Sequence, residues 1–235
     1  MLEIRNLVLA YGVNRVVRDV SFAVQPGEVF ALLGPNGAGK TSILRAVSGL
    51  VPAVSGDILF QGKSLLKRKP HDIVLGGIAH VPEGRQIFPE MSVHDNLLVG
   101  ATVHIHKRER VRELEARCLS LFPIIKERAR QAGGTLSGGE QQQLTIARGL
   151  MADPKLLIVD EPTLGLAPAI INVVADSFRK LRELGLTIVV AEQNADFALK
   201  VADHGVVLAS GEITYAGTVK QLSDREILRK AYMGA

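Results

Sequence analysis

Residues 34–41 read GPNGAGKT, which satisfies the pattern G-x-x-x-x-G-K-[ST], between the apolar run VFALL and a stretch of helical composition. A glycine-rich turn that opens onto a helix start points free backbone N–H groups and the positive end of the helix dipole at an anion. Gly34, Gly37 and Gly39 allow the backbone to wrap phosphates, with Pro35, Asn36 and Ala38 between them. Lys40 is placed to neutralise β- and γ-phosphate charge, the Thr41 hydroxyl to meet Mg2+, and Ser42 ends the nucleotide-binding run. A second stretch, LLIVDE at 156–161, is an apolar strand ending in two carboxylates. At the carboxyl edge of a sheet, Asp160 suits the shell of a Mg2+ ion and Glu161 suits polarising an attacking water. A third, LSGGEQQQ at 136–143, is another glycine pair behind a serine at a helix start. Its residues Leu136, Ser137, Gly138, Gly139 and Glu140 form either a second phosphate cradle or a plain N-cap and turn.

These groups need a scaffold, and the chain supplies its signals. Short β-like segments, EIRNLVLAYG, VVRDVSFAV and EVFALLG, separated by Gly, Asn and Pro, predict an antiparallel sheet leading into one buried strand. A helix is expected from about Thr41 to Gly49. Apolar runs ending near Phe60, Val81, Val159, Ala191 and Leu208 alternate with helical stretches, which predicts a largely parallel sheet covered on both faces. Between Met91 and Ala152 the strand signal disappears, and a helical subdomain inserted into the α/β core is expected over about residues 88–152. Ser92 and Asp95 suggest a capping-box-like start for its first helix.

Composition narrows the classes. The 235 residues, 47% hydrophobic, suit one domain with a substantial core. No apolar run approaches the about 20 residues of a membrane helix, and no signal peptide is expected from MLEIRNLVLAYG. A net charge of +4 without a dense basic stripe argues against a nucleic-acid partner. The single cysteine, Cys118, makes no internal disulfide and is expected as a small packing residue. His104 and His106 lack companions at metal-ligand spacing, and the basic run 107–112 is read as a solvated helix face.

LSGGEQQ followed by LLIVDEP, with GPNGAGKT upstream, resembles the motif set of ATP-binding cassette (ABC) ATPases, from about Leu2 to Ala216. The resemblance implies a P-loop α/β core with an N-terminal antiparallel β subdomain and the helical insert, binding ATP and Mg2+. It also implies two ATPase domains paired head to tail, so that Ser137 and Gly139 meet the γ-phosphate of the partner's nucleotide. Carried over one by one, Tyr11 matches the aromatic that stacks on adenine, although alone it reads more readily as a strand core residue. Glu83, in HVPEGR, stands where most of the family has a glutamine that senses Mg2+ or the attacking water and touches the membrane partner. Gln193, in AEQN, replaces a histidine that contacts the γ-phosphate, and Ala167, in LGLAP, replaces an aspartate of the loop crossing the dimer. Glutamine carries no proton near neutral pH, so the base falls to Glu161.

VPEGR, LGLAP, EQNA and the ending ILRKAYMGA resemble the shorter ATPase subunit of branched-chain amino acid importers, with a urea-type importer similar in the same stretches. That branch implies a homo- or heterodimer at the cytoplasmic face of the membrane, integral membrane permease subunits and, indirectly, a solute-binding protein. The Glu83 loop, with Arg85, Phe88 and Met91, is a candidate groove for a short permease helix, unless Phe88 and Met91 only anchor the insert. Two other readings are a nucleotide-gated switch whose paralogue hydrolyses, and a soluble ABC ATPase of DNA repair or translation. The second normally carries a coiled-coil insertion or two cassettes.

Overall fold

The computed structural model describes residues 1–224, so the ILRKAYMGA ending lies outside the described residues. Strands β1 (Leu2–Tyr11) and β2 (Asn14–Val24) form an antiparallel pair, and β3 (Val29–Leu33) runs into the 34–41 loop and helix α1 (Lys40–Val47). Next come β4 (Ser55–Phe60), β5 (Lys63–Ser64), α2 (Pro70–Leu75) and β6 (Ile78–Val81). The described elements that follow are helical: α3 (Val93–Val99), α4 (Arg108–Leu121), α5 (Pro123–Glu127) and α6 (Gly138–Leu150), with 3-10 turns between them. The chain then alternates through β7 (Leu156–Asp160), α7 (Pro168–Glu183), β8 (Thr187–Glu192), α8 (Ala195–Val201), β9 (His204–Ala209), β10 (Glu212–Thr218) and α9 (Val219–Leu222).

Two sheets result, ordered β2-β1-β4-β5 and β10-β9-β3-β8-β7-β6. In the larger one, β9, β3, β8, β7 and β6 are parallel, and β10 adds an antiparallel edge. Its inner strands are buried along their whole length, VFALL and LLIVD without a break. Alternate residues serve opposite faces. Leu157 and Val159 pack with α6 and α7, whereas Leu156 and Ile158 pack with α1 and the smaller sheet. Covering both faces is why these strands read as continuous apolar runs.

The run ending at Phe60 differs from expectation. β4 belongs to the antiparallel sheet, pairing with β1 through Leu2–Phe60 and Ile4–Ile58. Its burial alternates, with Ile58 and Phe60 inward and Asp57 and Leu59 only part-covered, the pattern of a strand packed on one face. The apolar letters DILF hid that alternation. The start of α3 also differs. Ser92 Oγ accepts from Asp95 N (3.0 Å), but the Asp95 carboxylate takes the Ser92 hydroxyl (2.6 Å) instead of closing a reciprocal box. Aspartate is one methylene shorter than the glutamate of that motif.

Candidate nucleotide site

The carboxyl ends of β3, β7 and β8 lie side by side, because β8 pairs with β3 on one edge and β7 on the other. Everything the 34–41 loop does follows from that edge. Gly34 approaches β9 so closely that a Cβ would collide with the Leu208 carbonyl, and Gly39, at φ 107°, would place one 2.8 Å from Val16 O. Gly39 is the N-cap of α1, and no side chain caps the helix, so its first N–H groups are left for a ligand. The Lys40 ammonium, 4% exposed, donates to Gly34 O (2.8 Å) and Pro35 O (3.1 Å) and lies 3.1 Å from Glu161 Oε1. It is held over the loop by its own backbone.

A cavity of about 330 Å³ opens here, lined by Asn36 to Ser42 together with Val16, Glu83, Glu161 and Leu164. The Thr41 hydroxyl donates to Asp160 Oδ1 (3.2 Å). Burial, then the neighbouring charges of Glu161 and Glu83, pushes the Asp160 carboxyl up from 3.8 to about 6, against the lowering effects of Thr41 and Lys40. The Thr41 hydroxyl and the buried Asp160 carboxyl, with Lys40 as counter-charge, are hard oxygen ligands of the kind that suit Mg2+, although among the described residues no group of three or more His, Cys, Asp or Glu side chains gathers to hold a metal. Thr41 and Asp160 would hold the ion and Glu83 lies on the same cavity wall.

Glu161 adopts φ 46°, a left-handed conformation rare outside glycine. Its N–H donates to Ala191 O (2.9 Å), while Oε2 accepts from the Gln193 backbone N–H (3.3 Å). That turn sends the carboxylate back toward Lys40 instead of onward with the chain. Tyr11 is 45% exposed at the end of β1, with its hydroxyl 3.5 Å from Ser42 Oγ, and it lines a neighbouring cavity with Arg45, Ser48 and His80, not the Lys40 one.

The signature stretch lies elsewhere: none of residues 136–140 lines the Lys40 cavity. Ser137 is the N-cap of α6 and forms a full capping box, with Ser137 N–H donating to Glu140 Oε2 (2.7 Å) and Glu140 N–H to Ser137 Oγ (3.4 Å). Leu136 is buried beneath it. A Cβ on Gly139 would strike Ile170, and one on Gly138 would meet the Arg85 guanidinium at 3.0 Å. Arg85 also donates to Leu164 O (3.3 Å), so one side chain of the Glu83 loop bridges the signature and the cavity wall.

The Glu83 loop is tied to the helices. Thr145 Oγ1 donates to Arg85 O (2.8 Å), Arg148 donates to Gln86 O (2.7 Å), and the Arg148 guanidinium lies over the Phe88 ring at 5.6 Å. Asn96 clamps the backbone of Phe88 and Met91. The Phe88 ring nonetheless stays 46% exposed, so it both anchors and presents an apolar face. Ala167 is the N-cap of α7 and, lacking a side-chain acceptor, leaves it uncapped ahead of Pro168. His104 Nε2 lies 3.2 Å from Ala152 O. Cys118 is buried with its thiol 3.5 Å from Ala147 O, and burial pushes it up to about 12, which leaves it inert.

Sequence reasoning missed Glu192. It ends β8 fully buried, one oxygen accepting from Thr163 N–H (2.9 Å) and the other from Asn194 N–H (3.1 Å). Desolvation pushes it up from 4.5 to about 7. The available signal was a carboxylate closing the apolar run TIVVA.

A family model described as ABC transporter matches residues 17–164. The chain is 41% identical to the high-affinity branched-chain amino acid transport ATP-binding protein BraG of Pseudomonas aeruginosa, over 100% of both chains. It is 33% identical to the lipopolysaccharide export system ATP-binding protein LptB of Escherichia coli, over 99% of this chain and 97% of that one. Among solved structures, a nucleotide-free ATP-binding cassette from an ABC transporter superposes with a TM-score of 0.87 at 27% identity, covering 100% of this chain and 99% of that one.

Proposed function

The chain belongs to the ABC transporter family of ATPase subunits, and from that premise we propose that it is the Mg-dependent motor of a branched-chain amino acid importer. The observation that carries the site reading is the separation of the two cradles. Lys40, Thr41, Glu83 and Glu161 line one cavity, and residues 136–140 line none of it. Ser137, Gly138 and Gly139 then serve a nucleotide held by a second ATPase subunit, and closure of the pair depends on ATP.

Within one cavity the roles follow from chemistry. Backbone N–H groups of 37–41 and the Lys40 ammonium bind β- and γ-phosphate oxygens. Thr41 and Asp160 would hold Mg2+, which when bound would supply neutralisation of the charge that develops on the transferred phosphate. Glu161, with one oxygen against Lys40, exchanges that contact for the attacking water once phosphate engages the lysine, and accepts its proton. Gln193 orients γ-phosphate or water without titrating. Glu83, on the cavity wall, couples the nucleotide site to the loop that carries Arg85 and Phe88, where a short permease helix docks. Tyr11 stacks on the base.

Among the described residues no helix is long and apolar enough to cross a membrane. A peripheral place at the cytoplasmic face, on integral permease subunits fed by a solute-binding protein, fits the branch, as does a single ATPase domain over 1–235 with its helical subdomain near 88–152. The solute class is supported by the higher identity to the amino-acid relative than to the lipopolysaccharide one, and by VPEGR, LGLAP and EQNA. A nucleotide-gated switch is the second reading, favoured by the uncapped, aspartate-less Ala167 at the start of α7.

The test is ATP hydrolysis by the purified chain beside Glu161→Gln, with gel filtration in ATP and Mg2+. Native turnover, with kcat about 100-fold or more lower in the variant and a variant dimer, supports the motor reading. Equal turnover in both removes Glu161 as the base, and ATP binding without native turnover favours the switch. Leucine uptake by proteoliposomes holding the chain with its permease decides the solute.

A further inference from the structure

Three loops meet at one residue that touches no part of the nucleotide cavity. The backbone carbonyl of Glu192 accepts from Gly34 N–H (3.3 Å), the first residue of the phosphate loop. Its Oε1 accepts from Thr163 N–H, two residues beyond Glu161, and its Oε2 from Asn194 N–H, one residue beyond Gln193. The Gln193 N–H then reaches Glu161 Oε2 (3.3 Å), closing a ring of hydrogen bonds around the groups that face γ-phosphate.

We propose that Glu192 is a positioning residue for ATP hydrolysis, holding the loops of Glu161 and Gln193 at fixed separation from the phosphate loop. The inference rests on the ATPase reading above.

The chemistry singles out a carboxylate. Glu192 is fully buried, and the charge facing it is that of Glu161, which makes burial more costly still. Two backbone N–H groups from different loops, Thr163 buried and Asn194 part-buried, both require acceptors, and a buried one left unmade is expensive. A carboxylate offers an acceptor at each oxygen. An amide offers one acceptor and turns its NH2 toward the other N–H, and an aliphatic side chain offers none. The placement is equally particular: β8 lies between β3 and β7, so the residue at its end is the one position adjacent to both the phosphate loop and the Asp160–Glu161 edge. A shift of one loop against another by about 1 Å is enough to lower turnover about 100-fold without touching substrate affinity.

The experiment compares native chain, Glu192→Gln and Glu192→Asp for kcat, KM, the Kd of a fluorescent ATP analogue and Tm. In Glu192→Gln, kcat falls about 10- to 100-fold while the analogue Kd stays within about threefold. Glu192→Asp, which keeps two acceptors, recovers part of the loss. A Glu192→Gln kcat within about twofold of native overturns the inference. So does a loss of kcat, affinity and Tm together in both variants, which marks general damage. If Glu192→Gln does not fold, Glu192→Asp decides: lowered kcat at unchanged Kd supports positioning and unchanged kcat overturns it. A native chain that hydrolyses no ATP overturns the ATPase reading and this inference with it.

Discussion

Helices α1 and α6 both start on glycine turns, but they treat their unpaired N–H groups in opposite ways. Helix α1 begins at Gly39 with no side-chain cap and brings its own cation, Lys40, buried against the loop carbonyls. Helix α6 begins at Ser137 inside a reciprocal box with Glu140, and those hydrogen bonds hold the Glu140 carboxyl below its usual value. The first start is open to an anion and positively charged. The second already holds an anion of its own and has Arg85 stacked on its glycine. One helix start is therefore left open to a ligand and the other is already capped by its own side chains, a difference invisible in the shared glycine-helix pattern.

The largest effect should separate the two. Lys40→Ala removes a buried, charge-assisted partner and leaves Glu161 without its counter-charge, so ATP affinity should fall about 100-fold, read by nucleotide titration. Ser137→Ala removes a cap worth ~1 kcal/mol, which should lower Tm by about 2–4 °C and leave the monomer's ATP Kd unchanged. ATP-dependent dimer formation should weaken in that variant. Equal loss of monomer affinity in both would break the comparison outright.

What the sequence showed and hid follows from range. The 34–41 loop, the Asp160–Glu161 pair and the helix start at Ser137 are made by residues adjacent in the chain, so the sequence exposed them, whereas the box that Ser137 forms with Glu140 was not read from it. Strand β4 was misplaced because four letters cannot show whether one face or two is covered. Glu192 was missed because its meaning lies in three partners, Gly34, Thr163 and Asn194, brought together only by strand order. The Arg85 contact with Gly138 was hidden for the same reason. The helical run between Val93 and Leu150 was legible because 3.6-residue periodicity is itself local.

A middling effect tests the charge at the first cradle. The Asp160 carboxyl rises to about 6 in the fold, so between about 4 and 6 the folded chain holds a proton that the unfolded chain has released. Stability therefore falls as pH rises through that window, and the cost is fully present above it. Asp160→Asn should raise the Tm of the nucleotide-free chain at pH 7.5 by several degrees, and much less at pH 4.5. The variant should lose the extra stabilisation that Mg2+ adds to ATP. An unchanged nucleotide-free Tm at pH 7.5 would mean that the buried carboxylate is compensated without a cation.

The smallest effect asks whether an uncapped helix start is enough to make a cradle. Helix α7 offers the control, because Ala167 leaves it as uncapped as α1, yet it carries Pro168 at its first position and Ala169, Ile170 and Ile171 in its first turn, where α1 carries Lys40. Ala167→Asp places a carboxylate at the N-cap, where it can accept from the first-turn N–H groups and interact favourably with the helix dipole. Tm should rise by about 2–4 °C, the equivalent of ~1 kcal/mol in a chain of this size, while ATP affinity stays unchanged. Stabilisation without any change in affinity would assign the binding at α1 to its glycine conformations and Lys40, and not to free N–H groups alone. A fall in ATP affinity would instead place the α7 start within reach of the nucleotide, and the first cradle would then extend across the loop that follows Glu161.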